Sequence, residues 1–165
     1  MIYRLDKGKF YPRGLHFGIT TANRLKFEAK FDSSCVYDHG TVDNYDVNKL
    51  FGFSTDWYHH WNSARIGWRC IDNKSIEIMA YVYDRKQRLE PQVIGTILPE
   101  ETVRCSITKR PSDFHFTMEQ NGGVKSVVIP THTYNWKFKY LLFPYFGGNM
   151  AAPHDMTLEL NRVRE

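Results

Sequence analysis

Two runs of strict alternation dictate the kind of layer this chain can build. In Leu25 to Phe31, LKFEAKF, the apolar Leu25, Phe27, Ala29 and Phe31 share one face while Lys26, Glu28 and Lys30 share the other. That is the period-two pattern of a strand with one face in a core. In Ser75 to Tyr83, SIEIMAYVY, the residues Ile76, Ile78, Ala80 and Val82 face one way and Glu77, Met79, Tyr81 and Tyr83 the other. Both faces carry apolar or aromatic groups, so this strand is expected to be central, with a layer on each side. Further strands are expected at Gln92 to Ile97, Thr102 to Thr108, Phe114 to Glu119, Lys125 to Ile129, Tyr140 to Phe143 and Met156 to Val163. Between them lie turn signals: the charged connection Asp84 to Glu90, Asn121-Gly122-Gly123 with its capacity for positive φ, and Pro111-Ser112-Asp113. Asp43 to Phe53 is the one segment expected to hold a helical turn. Many short strands without helical periodicity predict an all-β antiparallel β-sandwich or barrel. With 165 residues and no repeat or linker, the chain is expected to form a single β-sandwich domain over 1–165.

Charge and cysteine usage narrow the function classes. The formal net charge of +4 is mild and its lysines and arginines are scattered among acids, which argues against a nucleic-acid partner. Cys35, Cys70 and Cys105 are odd in number and lack any CxxC spacing, so they read as small buried hydrophobes in a reducing environment. The opening MIYRLDKGKFYPRG has no apolar signal region, and no apolar run reaches membrane-spanning length. The expectation is a soluble protein without a signal peptide or membrane insertion, made in a cytoplasm.

The segment Phe51 to Arg69 concentrates three tryptophans, a tyrosine, two adjacent histidines and two arginines. Flat aromatic faces beside hydrogen-bonding groups are the means of gripping a ligand that is part apolar and part polar. Trp68 alternates as a core strand residue, whereas Trp57, Tyr58 and Trp61 are candidates for an exposed platform. Trp136, with Tyr134 at the same parity, is a second candidate. His59, His60 and Arg65 would supply the polar partners. Arg65 and Asn62 also read structurally, as side chains stapling one loop to another through backbone carbonyls.

Several chemistries compete for these residues. For β-elimination from a uronic acid, His59 or His60 would be the base, Tyr58 the proton donor and Arg65 the cation that neutralises the carboxylate. For a zinc or copper site, His59, His60, His154 and Asp155 would have to converge, and neighbours on a strand point oppositely, so at most one of the two adjacent histidines would join. The structural alternative has His154 and Asp155 bonding the backbone. A calcium ion on Asn149 and Asp155 would have few acidic ligands. No cofactor is therefore expected beyond a structural calcium or zinc. Glu100 and Glu101 are adjacent and read as an exposed turn after Pro99 instead of a catalytic pair. Pro144 to Asp155 reads as an architectural corner, with Tyr140, Phe143, Tyr145 and Phe146 filling the sandwich.

The pieces DVNKLFGFS, HHWNSARIGWR, SIEIMAYVY and FPYFGGNMAAPHDMTLEL resemble a group of bacterial and phage proteins, and through them the concanavalin A-like lectin/glucanase superfamily. The resemblance implies a jelly roll whose concave face or rim offers a groove for a glycan. It lacks the Gln-Ile-His strand of the alginate-lyase-like branch and the ExDxxE strand of the glucanase branch. Three functional expectations follow: a non-catalytic, lectin-like carbohydrate-binding module, a phage virion structural or decoration protein assembling with protein partners or copies of itself, and a polysaccharide lyase-like enzyme.

Overall fold

The computed structural model describes residues 1–132 and 137–163. Thirteen strands run through the described residues: β1 (Ile2–Leu5), β2 (Ile19–Thr20), β3 (Arg24–Phe31), β4 (Asn48–Ser54), β5 (Ser63–Ile71), β6 (Ser75–Asp84), β7 (Gln87–Arg88), β8 (Gln92–Ile97), β9 (Thr102–Lys109), β10 (Asp113–Gln120), β11 (Gly123–Pro130), β12 (Lys139–Leu142) and β13 (Met156–Val163). They form two antiparallel sheets. One is ordered β1-β13-β3-β9-β10-β11; the other is β2-β12-β4-β5-β6-β7, with β8 also paired to β6.

Alternation places the core between them. Leu25, Phe27, Ala29 and Phe31 of β3 are buried, as are Ile76, Ile78, Ala80 and Val82 of β6. Rings bridge the two sheets: Phe27 meets Phe51 edge-on at 5.2 Å, Phe31 meets Trp68 at 5.1 Å and Phe53 meets Phe114 at 6.0 Å. Trp68 is buried, as its parity predicts. All three cysteines are free and buried; burial pushes the thiols of Cys35 and Cys70 up and that of Cys105 to about 12.

The turns follow their residues. Asn121 and Gly122 both have positive φ, 50° and 77°, between the paired strands β10 and β11, and Arg85 and Lys86 do the same after β6, at 51° and 71°. At the corner after β12, Gly147 has φ 73°, and a Cβ there would lie 2.0 Å from the Met150 carbonyl oxygen.

Two expectations need correction. The helical turn expected within Asp43 to Phe53 is present as the 3-10 turn Val42–Tyr45, but a second 3-10 turn lies at Ser33–Cys35, and Asn48–Ser54 is strand β4, which was not expected. Its alternation is hidden by a register irregularity against β5 between Lys49 and Phe51, which buries Leu50 and Phe51 in succession. Nor do all four corner aromatics fill the sandwich. Phe146 is buried and Phe143 packs partly against the core, but Tyr145 faces the opposite side of the sheet, bridged to Lys49, and Tyr140 lies with Trp57 and Phe17.

Candidate functional site

The face of the second sheet turned away from the core carries the site, and pairing register fixes its layout. One row across the strands reads Tyr140, Ser54, Ser63, Tyr83, Arg88, and the next reads Leu142, Gly52, Arg65, Tyr81. Gly52 is required in that second row, since a Cβ there would lie 2.1 Å from the Ala64 carbonyl oxygen and 2.6 Å from the Arg65 Cα. Over these rows lies a cavity of about 840 Å³, closed on its sides by Tyr11 to His16, by the turn holding Tyr58, His59 and His60, and by Leu141 to Asn149.

Arg65 occupies the floor. It is 7% exposed. Four residues further along β5, Arg69 faces Glu77 across the pair and bonds it at 2.6 Å, but the residue opposite Arg65 is Tyr81. Among the described residues no carboxylate or carbonyl satisfies the Arg65 guanidinium, so the expected stapling of backbone carbonyls is not what the structure shows; the residue β6 places opposite Arg65 is Tyr81, a phenol instead of an acid. Desolvation lowers its pKa to about 10, with the phenols of Tyr81, Tyr83, Tyr11 and Tyr145 opposing the shift. Lys49 lies in the same wall, its Nζ donating to the Gly147 carbonyl at 2.8 Å and sitting 5.2 Å and 5.4 Å from the ring centres of Tyr81 and Tyr145. Burial, then the Arg65 charge, brings its pKa down to about 8. Arg88 adds a third cation, and no Asp or Glu is among the lining residues. The cavity is thus a concavity lined by phenols and cations without a lining carboxylate.

The aromatic turn is held from below. The Ser54 hydroxyl donates to the Asp56 and Asn62 carbonyls at 2.7 and 3.1 Å. The Asn62 side chain donates to Asp56 at 3.1 Å and accepts the Arg85 N–H at 2.9 Å, so the structural reading of Asn62 holds. Tyr58, His59, His60 and Tyr83 form a chain of ring contacts, with centroids at 4.1 Å between the histidines and 5.0 Å from His60 to Tyr83. Because His59 and His60 sit in a turn and not on a strand, both line the cavity, contrary to the expectation that they diverge. Desolvation, then Arg65, lowers the pKa of His59 to about 4 and also depresses His60, so the His59 imidazole is neutral near pH 7.

Of the residues singled out in the sequence, Tyr58, His59, His60 and Arg65 therefore converge. Trp57 stands beside the cavity, 76% exposed and 5.7 Å from the Tyr140 ring. Trp61 is 43% exposed and turned elsewhere, with Lys86 Nζ 4.3 Å from its ring. Tyr134 and Trp136 lie outside the described residues. The sequence reading missed Lys49, Tyr81, Arg88 and Tyr145; for Tyr81 and Tyr83 a signal existed in the second face of SIEIMAYVY. His154 Nε2 instead contacts the Ser34 carbonyl at 2.7 Å, Asp155 accepts the Lys7 N–H at 2.8 Å, and Asn149 bonds Asp43 and Asp46, so the residues considered for a metal are engaged separately. Glu100 and Glu101 lie in the turn before β9, bonded to Ser33 and Leu98 backbone N–H groups.

No protein-family model matches this sequence, and no curated protein matches it. Among solved structures, the chain is similar to an alginate lyase from Klebsiella pneumoniae, with a TM-score of 0.61 at 10% identity over 86% of this chain and 59% of that one. It is also similar to SCLam, a non-specific endo-β-1,3(4)-glucanase of family GH16, with a TM-score of 0.58 at 8% identity over 98% and 69% of the two chains. A Bacteroides ovatus GH16 protein solved with a glucan product gives 0.54 at 11% identity over 98% and 80%. The chain spans about three fifths of the length of the lyase. These likenesses define the fold as an all-β, concanavalin A-like jelly roll. Carbohydrate-active proteins are its structural neighbours.

Proposed function

We propose that the protein binds an acidic polysaccharide across the concave face of its second sheet, a uronate carboxylate being received by Arg65. The observation that carries this is Arg65 itself, desolvated on the floor of the cavity without an acidic partner. An uncompensated buried cation costs free energy that a bound carboxylate would recover through charge-assisted, bidentate hydrogen bonds. Lys49 and Arg88 extend the positive field, and the surrounding phenols supply rings and hydroxyls for the sugar. Hydrolysis of the GH16 kind needs two carboxyl groups flanking the scissile bond, and the residues lining this cavity supply none.

A second reading, β-elimination at the same site, is favoured by one specific observation, the neutral His59 imidazole beside Tyr58 and above Arg65. His59 would take the C5 proton, Arg65 would neutralise the carboxylate so that the pair of electrons can be held there, and Tyr58 would protonate the departing glycosidic oxygen as the C4–C5 double bond forms. Titration calorimetry of acidic oligosaccharides against the native protein and the Arg65→Met variant tests binding: micromolar association lost in the variant supports it, and equal affinity for both proteins rejects it. Ultraviolet absorbance of unsaturated uronate products, present with native protein and absent with His59→Gln, separates the lyase from the lectin-like reading.

A further inference from the structure

The outward face of the second sheet is not uniform. Its cations Lys49, Arg65 and Arg88 lie on β4, β5 and β7, whereas exposed apolar side chains gather at the margin formed by β2 and β12. There Leu15 is 96% exposed, Phe17 71%, Ile19 51% and Trp57 76%. The rings are gathered on Tyr140, which lies 5.7 Å from Trp57 and 6.4 Å from Phe17. This shelf is continuous with the cavity, because Leu15 is also one of its lining residues and Tyr140 begins the row of paired residues that crosses to Tyr83 and Arg88. Tyr140 and Arg65 are two strands and one row apart, about 12 Å at the usual strand spacings, whereas Leu15 lines the cavity with Arg65, so the shelf and the cationic floor lie within reach of different sugar units on one chain.

Resting on the reading of the cavity as a uronate site, we infer that the ligand is a heteropolysaccharide in which uronate units are joined to neutral ones, and not a homopolymer of uronate. A carboxylate laid over the exposed Leu15, Phe17, Ile19 and Trp57 side chains would lose hydration without gaining a charged partner from them. A neutral pyranose presents an apolar C–H face that suits those rings, while its hydroxyls stay in water. The division of the face into a charged part and an apolar part thus selects for a chain that carries both charged and uncharged units.

Calorimetry with hexasaccharides at one salt concentration tests this, using alternating probes (hyaluronan, chondroitin and heparosan), uronate homopolymers (oligogalacturonate and oligomannuronate) and neutral chitohexaose. The expected result is that at least one alternating probe binds at least tenfold more tightly than either homopolymer and than chitohexaose. Trp57→Ala and, on a separate segment, Phe17→Ala are each expected to reduce that preference at least threefold. Homopolymers that bind as tightly as the best alternating probe, or a preference unchanged in both variants, overturn the inference and leave the uronate reading standing. Failure of every acidic probe, or equal affinity for chitohexaose, overturns the uronate reading and the inference with it.

Discussion

At the scale of single residues, the site is a set of side chains kept at a cost to stability. Arg65 is the clearest case, a desolvated cation facing Tyr81 where its neighbour Arg69 faces Glu77. Arg65→Met should therefore raise unfolding stability by about 1–4 kcal/mol in urea titration, the range seen when buried ionic groups are replaced by apolar ones, while abolishing acidic glycan binding. Lys49 makes a pH prediction. Its folded pKa of about 8 lies below the 10.5 of the free side chain, so between those values the unfolded chain holds more protons and stability rises with pH. Lys49→Met should remove that rise when denaturation at pH 7.5 and pH 10 is compared. His59 titrates lower, with a folded pKa of about 4 against 6.5, so its contribution is present above pH 6.5 and is lost as pH falls toward 4. His59→Gln should flatten this acid limb, and the same two groups bound the pH window for glycan binding, which is expected to weaken above pH 8 as Lys49 loses its proton.

At the scale of elements, backbone approach matters more than side-chain chemistry. Strands β4 and β5 can pair through the second row because residue 52 has no side chain; Gly52→Ala should cost about 1–3 kcal/mol and broaden the melting transition, since backbone atoms of Ala64 and Arg65 must move. This strand was also the hardest to read. Where pattern and pairing agree, as in LKFEAKF and SIEIMAYVY, strand and buried face could be read directly from the residues. In NKLFGFS the irregular register breaks the alternation, so its strand could not be read from period-two spacing. The site divided in the same way. Tyr58, His59, His60 and Arg65 were legible because they are clustered in sequence, whereas Lys49, Arg88 and Tyr145 come together only through pairing between distant strands, which composition and spacing do not encode. The opposite divergence of His59 and His60 failed for a similar reason, because the rule for a strand was applied to a turn.

For the whole molecule, two sheets are joined by an aromatic seam and carry their chemistry on one outward face. Trp68 packs against Phe31, Tyr37 and Phe146, so Trp68→Ala should cost about 3–5 kcal/mol, measured by chemical denaturation. On the proposed reading, three cations in one concavity would make binding a property of the summed field. Raising sodium chloride from 50 to 500 mM should weaken acidic-oligosaccharide binding several-fold while leaving the urea midpoint nearly unchanged, because the seam is apolar and the field is screened.

The silence of Cys35, Cys70 and Cys105 has a practical side. With every native thiol sealed in the interior and held protonated, mild maleimide treatment finds nothing to modify. A single cysteine introduced at Ile19, which is half-exposed at the apolar margin, would take a fluorophore with no background, and its emission would report occupancy of that margin sugar by sugar.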